Sequence, residues 1–363
     1  IGNELSLVQE NLENPEDLMT VKGFPAHAIL TPPKQNREPP ISSDPTMSGD
    51  GATVYSSLID ADLLHFIGDR ILQAVGNVKV ERDSLELSGD SLEIFQDGSS
   101  TKLFSNAKIT HKHTVSGGPI NVRGDSVNIL FSNNRLDLIQ SMGQAEAIYD
   151  NGSIHGSMVD IYFRDEELGR ISSRGTTSIS LERELDKVQA TAIISDFTIT
   201  GDSINLELIG GKLVSATAIG TARGASLSGE ESSSYQDYPF LREDWIEGDT
   251  VVIIFSEPQE ISTSDRIEIY SNDTVIEQMT ARGGARSFFR RPANQAVNSD
   301  SISPAPMELN YVRGDEIRIF LTDGQVRQME VENAQGSFFQ PLLRADTVTV
   351  TGAEINQRYQ EDC

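Results

Sequence analysis

A short phrase built on Gly-Asp recurs along this chain and keeps its apolar phase each time. It reads Gly89-Asp90-Ser91-Leu92-Glu93-Ile94, then Gly124-Asp125-Ser126-Val127-Asn128-Ile129-Leu130-Phe131, then Gly201-Asp202-Ser203-Ile204-Asn205-Leu206. Further copies stand at Gly156-Ser157-Met158-Val159-Asp160-Ile161-Tyr162-Phe163, Gly248-Asp249-Thr250-Val251-Val252-Ile253 and Gly314-Asp315-Glu316-Ile317-Arg318-Ile319. Counting on from each Gly, the third and fifth residues are apolar in every copy. Alternation of that kind turns one face of a β-strand to a core and the other to water. A strand phrase repeated along a chain predicts a stack of similar strands, not a scaffold wrapped around one active site.

Most copies are followed by a second segment rich in small residues, such as Lys212 to Gly220 and Gly324 to Gly336. Turn signals lie between the two, at Ser132-Asn133-Asn134, Gly210-Gly211 and Asp323-Gly324, and suit tight hairpins. The fold class predicted is all-β: repeated antiparallel hairpins forming an open β-jellyroll stack, in two consecutive modules. Asp beside Gly at each strand entrance reads as turn chemistry. Aligned aspartates could instead form a calcium ladder, but the Gly-Gly-x-Gly-x-Asp nonapeptide of such rolls is absent.

Residues 1–52 carry Pro25, Pro32, Pro33, Pro39, Pro40 and Pro45 in a polar stretch, which predicts an extended tether. The first β module is expected over 53–225 and the second over 246–352, with a C-terminal tail at 353–363. Between the modules, at 226–245, Ser232, Ser233 and Ser234 follow Glu230 and Glu231 and read as a linker. Tyr235, Tyr238, Phe240 and Trp245 then arrive together. Phe288-Phe289 and their echo Phe338-Phe339 read as plugs of the second core.

Charge narrows the partners. The 55 acidic residues against 29 basic give a formal −26, a surface that repels phosphate backbones and anionic bilayers. Arg282, Arg286, Arg290 and Arg291 form a local basic cluster, read either as a solvated loop or as an anion contact. The lone cysteine is Cys363, so an intrachain disulfide or a thiolate metal cage is excluded. The chain begins at Ile1, which predicts a leader or anchor ahead of it.

Catalytic signatures are lacking. There is no Gly-x-Ser-x-Gly elbow, no phosphate loop and no His-Glu-x-x-His. His111 and His113 would share a strand face but have no third ligand at a diagnostic spacing. Asp165-Glu166-Glu167 could supply acid–base groups, yet a chance acidic pair in so acidic a chain carries little information. The expectation is a non-enzyme with no cofactor and no metal.

The strand phrase with its small-residue return resembles the OstA-like family of lipopolysaccharide-transport proteins, the LptA and LptC type. Ala61-Asp62-x-Leu64 followed by Gly76-Asn77-Val78 resembles the family's opening strand pair, and the Gly-Asp copies resemble its recurring strands. The resemblance spans roughly 55–345. It implies a twisted open jellyroll whose two faces part like a folded sheet, acyl chains of lipid A held inside, and neighbours joined through edge strands, near Val78 or Val348 here. The chain is longer and more acidic than a single such module. A carrier this acidic would need divalent cations, or the Arg282 to Arg291 cluster, to hold an anionic headgroup.

The inward set expected from the phrase is Val127, Ile129, Phe131, Val159, Ile161, Phe163, Ile204, Leu206, Val251, Ile253, Ile317 and Ile319. The same periodicity serves a lipid-lined groove or a filled core. Two functions follow. One is a periplasmic lipid-binding or bridging protein, tethered to a membrane through a leader ahead of Ile1 or through a partner. The other is a periplasmic subunit that caps or braces a membrane complex, such as a respiratory or photosynthetic assembly, without carrying lipid. Partners in either case are acyl chains or membrane-complex proteins, reached through edge strands and the Pro-rich start.

Overall fold

A computed structural model of the chain describes residues 4–8, 18–30, 56–67, 70–95, 98–112, 118–132, 135–149, 152–177, 187–227, 243–256, 261–263, 266–268, 275–292, 307–322, 325–340 and 346–358. Among these, every regular element is a β-strand, and the strands pair antiparallel as the hairpin reading requires. They run β1 (Glu4–Val8), β2 (Leu18–Leu30), β3 (Ser57–Ile67), β4 (Ile71–Arg82), β5 (Leu85–Phe95), β6 (Ser100–His111), β7 (Ile120–Ser132), β8 (Arg135–Tyr149), β9 (Gly152–Arg164) and β10 (Glu167–Arg174). Next come β11 (Thr176–Thr177), β12 (Lys187–Val188), β13 (Ala190–Ile194), β14 (Phe197–Gly201), β15 (Ser203–Ile209), β16 (Lys212–Leu227) and β17 (Glu243–Phe255). The last are β18 (Ile261–Thr263), β19 (Arg266–Glu268), β20 (Ile276–Pro292), β21 (Met307–Thr322), β22 (Gln325–Gln340) and β23 (Asp346–Arg358).

The chain divides into two compact units, residues Ile1–Asp150 with His155–Ile171, and residues Asn151–Ile154 with Ser172–Cys363. Where the sequence predicts a tether, Leu18–Leu30 forms β2 and pairs with β3. Of the expected linker, residues 228–242 lie outside the described residues, while Leu227 and Glu243 face each other in register.

Gly201-Asp202 stands between β14 and β15, at a strand entrance as the turn reading supposes, but the other Gly-Asp pairs of the phrase do not open a strand. They sit at the middle of β5, β7, β17 and β21. In β7, Ile120 and Val122 are buried before Gly124, and Val127 and Ile129 after it. In β5 the buried residues are Leu85 and Leu87, then Leu92 and Ile94. The step from 122 to 127, or from 87 to 92, is odd. In a flat strand an odd step would carry the second pair to the opposite face. Both pairs are buried because the strand folds over at Gly-Asp.

The neighbouring strand supplies the other half of the crease. Opposite Gly124-Asp125, β8 carries Gly143 (φ 71°) and Gln144 (φ 45°), and the register slips by one residue. Opposite Asp62 it is Gly76 (φ 79°) and Asn77 (φ 48°); opposite Asp90 it is Ser105 (φ 56°) and Asn106 (φ 53°). Each is a β-bulge made of two left-handed residues, and bulges bend the strand that contains them. The second unit repeats the device with Gly220-Thr221 against Asp202, and Gly283-Gly284 against Asp249.

A row of such bulges creases the sheet into two leaves, one before Gly-Asp in β5 and β7 and one after it. In the first unit the upstream leaf turns in Ile59, Leu85, Leu87, Ile109, Ile120 and Val122. The downstream leaf turns in Leu64, Leu72, Leu92, Leu103, Val127, Ile129 and Ile139. The tight turns lie elsewhere, at Asp83-Ser84, Asp165-Glu166, Ser195-Asp196 and Gly210-Gly211. Gly210-Gly211 is the hairpin the sequence predicts; residues 133–134 and 323–324 lie outside the described residues, with Ser132 facing Arg135 and Thr322 facing Gln325.

Candidate functional site

The aspartates of the crease are fasteners. Asn77 Nδ2 donates to Asp62 Oδ2 and Asn106 Nδ2 to Asp90 Oδ2, both at 2.9 Å. Asn333 Nδ2 donates to Asp315 Oδ2 at 2.6 Å, and Asn333 is again left-handed, with φ 50°. At Gly124 and at Gly143, on the two sides of one such bend, a side chain would collide. A Cβ at Gly124 would press on Ser141 Oγ and stand 2.9 Å from the Met142 carbonyl oxygen. Ser141 itself is buried and donates to the Arg123 carbonyl at 2.8 Å. Among the described residues no group of three His, Cys, Asp or Glu is placed to hold a metal ion.

All of the expected inward residues except Phe131 are at most 7% exposed, and Phe131 is half-buried. Val127, Ile129, Val159, Ile161, Val251, Ile253 and Ile317 are at most 1% exposed. Side chains that enclosed leave no water-sized space against them, so an acyl chain beside them requires the leaves to part. In the first unit two ring contacts among the described residues run from one leaf to the other. The Arg82 guanidinium, at the end of the upstream leaf, lies 3.8 Å from the centroid of Phe131 on the downstream leaf. The His111 ring meets Phe163 edge-on at 5.3 Å. Ser57, Arg82, Leu85, His111 and Ile120 stand in register along that end of the upstream leaf, and all are buried.

The upstream half of the interior escaped the sequence reading. The signal was present: apolar residues also stand four and two before Gly89, Gly124 and Gly201, but the phase break across Gly-Asp hides them from a period-two search. Arg82 escaped as well, because a single Arg at a strand end carries no pattern.

The arginine cluster of the second unit is not gathered into one site. Arg282 Nε and Nη2 donate to Glu316 at 3.0 and 3.4 Å, and Arg286 Nε pairs with Glu247 Oε1 at 2.8 Å. The Arg290 side chain is 4% exposed and pairs with Asp244 Oδ1 at 2.9 Å. The Arg291 side chain lies outside the described residues. Hydrogen bonding from Arg282, then from Arg318, holds the Glu316 carboxyl below its usual range. Of the paired phenylalanines, Phe289 is buried, whereas Phe288 stacks on Trp245 at 6.2 Å on the opposite face. Of the His111–His113 pair, His111 is buried and His113 lies outside the described residues. Asp165 and Glu166 form a hairpin turn with φ 53° and 70°, beside Arg135. Val78 offers no free edge, because β4 is paired with β3 on one side and β5 on the other. Val348 lies on β23, in register with Phe338.

Residues 59–167, which contain the first crease and most of both its leaves, match the family described as LptA/(LptD N-terminal domain) LPS transport protein. This segment is LptA-like. Among solved structures, similarity extends to LptH from Pseudomonas aeruginosa, described as the LptA homologous periplasmic component of the conserved lipopolysaccharide transport device. It is 14% identical, covers 35% of this chain and 85% of that one, and has a TM-score of 0.28. No curated protein matches the chain. The LptA-like match ends at residue 167, before the second unit's creases at Asp202, Asp249 and Asp315.

Proposed function

We propose that this chain is a non-enzymatic periplasmic protein of lipopolysaccharide transport, binding or bridging lipid through the apolar interior of its creased sheets. The observation that carries the reading is the LptA-like match across residues 59–167, where both leaves turn apolar side chains inward. Burying each methylene of an acyl chain stabilises by about 0.8 kcal/mol. A chain of a dozen carbons, laid between leaves that have parted, therefore needs no specific polar contact to stay. The Arg82–Phe131 and His111–Phe163 contacts are where the leaves would open. Neighbours of the same kind would pair along exposed strand edges, with β23 offered as one such strand.

Mass spectrometry of lipid co-purifying with the native protein tests this directly. Lipid A or phospholipid at a stoichiometric ratio supports carriage. Phe163→Asp should then lose lipid while keeping a β-type circular dichroism spectrum. Loss of fold without a separable loss of lipid would count against the groove.

A second reading, a periplasmic brace for a membrane complex, is favoured by the near-complete enclosure of Val127, Ile129, Val159 and Ile161. Its signature would be a lipid-free protein that co-purifies with a stable protein partner.

A further inference from the structure

We propose that Arg82 is an internal anion site of the first unit, which takes the phosphate of an amphiphile whose chain lies between the leaves. The inference rests on the lipid-binding reading and adds a headgroup chemistry to it. Arg82 is 7% exposed, and its Nη2 has no hydrogen-bond partner. Among the described residues no carboxylate forms an ion pair with it. Asp83, the next residue, acts on it only through space, and burial lowers its proton affinity. A guanidinium removed from water is ordinarily paired or bonded at all of its donors. Here its principal companion is the face of Phe131, 3.8 Å away, which offers a partial negative charge but accepts no directed hydrogen bond.

The second unit supplies the contrast. Its covered arginine, Arg290, whose side chain is 4% exposed, has its charge answered by Asp244, which accepts from both the Arg290 backbone N–H at 3.0 Å and Nε at 2.9 Å. One unit thus pairs its covered arginine with a carboxylate and the other, among the described residues, leaves its own without one. Arg82 stands at the leaf end, where it and Phe131 touch across the interior and where a chain entering between the leaves would bring its polar end. Planar guanidinium donors match the oxygens of a phosphate. Displacing the Phe131 ring with a phosphate would exchange a weak contact for charge-assisted hydrogen bonds, so headgroup capture and leaf opening are the same event.

The test uses the full chain, freed of co-purified lipid, with three probes: palmitoyl lysophosphatidate, monopalmitoylglycerol with the same chain but no phosphate, and inorganic phosphate. Wild type should bind lysophosphatidate at least tenfold more tightly than monopalmitoylglycerol, and Arg82→Met should reduce that ratio to within twofold. Arg82→Lys, which keeps the charge, should retain most of the preference and guards against a folding defect in the Met variant. Equal binding of the two amphiphiles by wild type overturns the anion site and leaves lipid binding standing. Binding of neither amphiphile overturns both. Binding of inorganic phosphate alone, lost in Arg82→Met, overturns the amphiphile and assigns the arginine to a free oxyanion.

Discussion

The carboxylate of Asp125 occupies the space that a side chain at Gly143 would need. These two residues, on adjacent strands, are one stitch of the crease that lets a single sheet present the same face twice. Asp202 stands in the same relation to Gly220, and Asp249 to Gly283. At these positions the crease pairs a carboxylate on one strand with a left-handed, side-chain-free residue on the next; at Asp90 and Asp315 a left-handed asparagine takes the glycine's part.

Gly143→Ala should destabilise the first unit by about 1–3 kcal/mol, since it adds the cost of left-handed backbone to a collision with Asp125. Chemical denaturation measures the loss. Adding Asp125→Ala should recover part of it, and the remainder is the backbone cost alone.

Asn106 separates hydrogen bonding from backbone strain. Asn106→Ala loses the bond to Asp90 and keeps a residue with a Cβ at φ 53°. Asn106→Gly loses the same bond but removes the strain, so it should be the more stable variant by about 0.5–1 kcal/mol. Melting temperatures of the two variants decide the order.

Ile129→Ala should cost about 2–5 kcal/mol, because Ile129 is wholly enclosed and its neighbours are held by strand pairing on both sides. Ile120→Ala, in the leaf that the phrase does not mark, should cost a similar amount. A flat strand with only its downstream half buried would instead leave Ile120 tolerant of the change. Urea midpoints for the pair distinguish these outcomes.

Acid should weaken the second unit through Glu316. Its carboxyl is held below the ordinary range by Arg282 and then Arg318, so the folded state binds a proton less readily than the unfolded chain. The stabilisation is present above the unfolded value, about 4.3, and is lost as pH falls below it through the lower folded value. Glu316→Gln should show a shallower decline in melting temperature between pH 5 and pH 3, at about those bounds.

What could be read from the sequence was whatever kept a regular period. Val127 and Ile129 follow Gly124 at fixed steps, and the strand, its inward side and the family likeness all came from that spacing. Ile120 and Val122 are just as apolar, but a five-residue step separates Val122 from Val127, and a period-two pattern assigns them to the opposite face. The error over Gly-Asp has the same origin. Glycine beside aspartate is usual turn chemistry, and nothing local says that its partner is a bulge on the next strand. Ser105, Gln144 and Thr221 rarely adopt the left-handed backbone they have here, so their role is set by the neighbouring strand and not by their own preferences. Arg82 has no pattern at all; its meaning comes from a Phe131 that stands 49 positions further along the chain.

The stitch between Asp125 and Gly143 has an evolutionary corollary. The β3–β4, β5–β6 and β7–β8 hairpins each carry a carboxylate half and a left-handed half, so a duplicate of one arrives with both parts needed to join the copies beside it. Length can then grow or shrink by whole hairpins without redesigning what is already in place. Natural selection could adjust the span of such a protein by copy number, leaving point mutation to alter its lining.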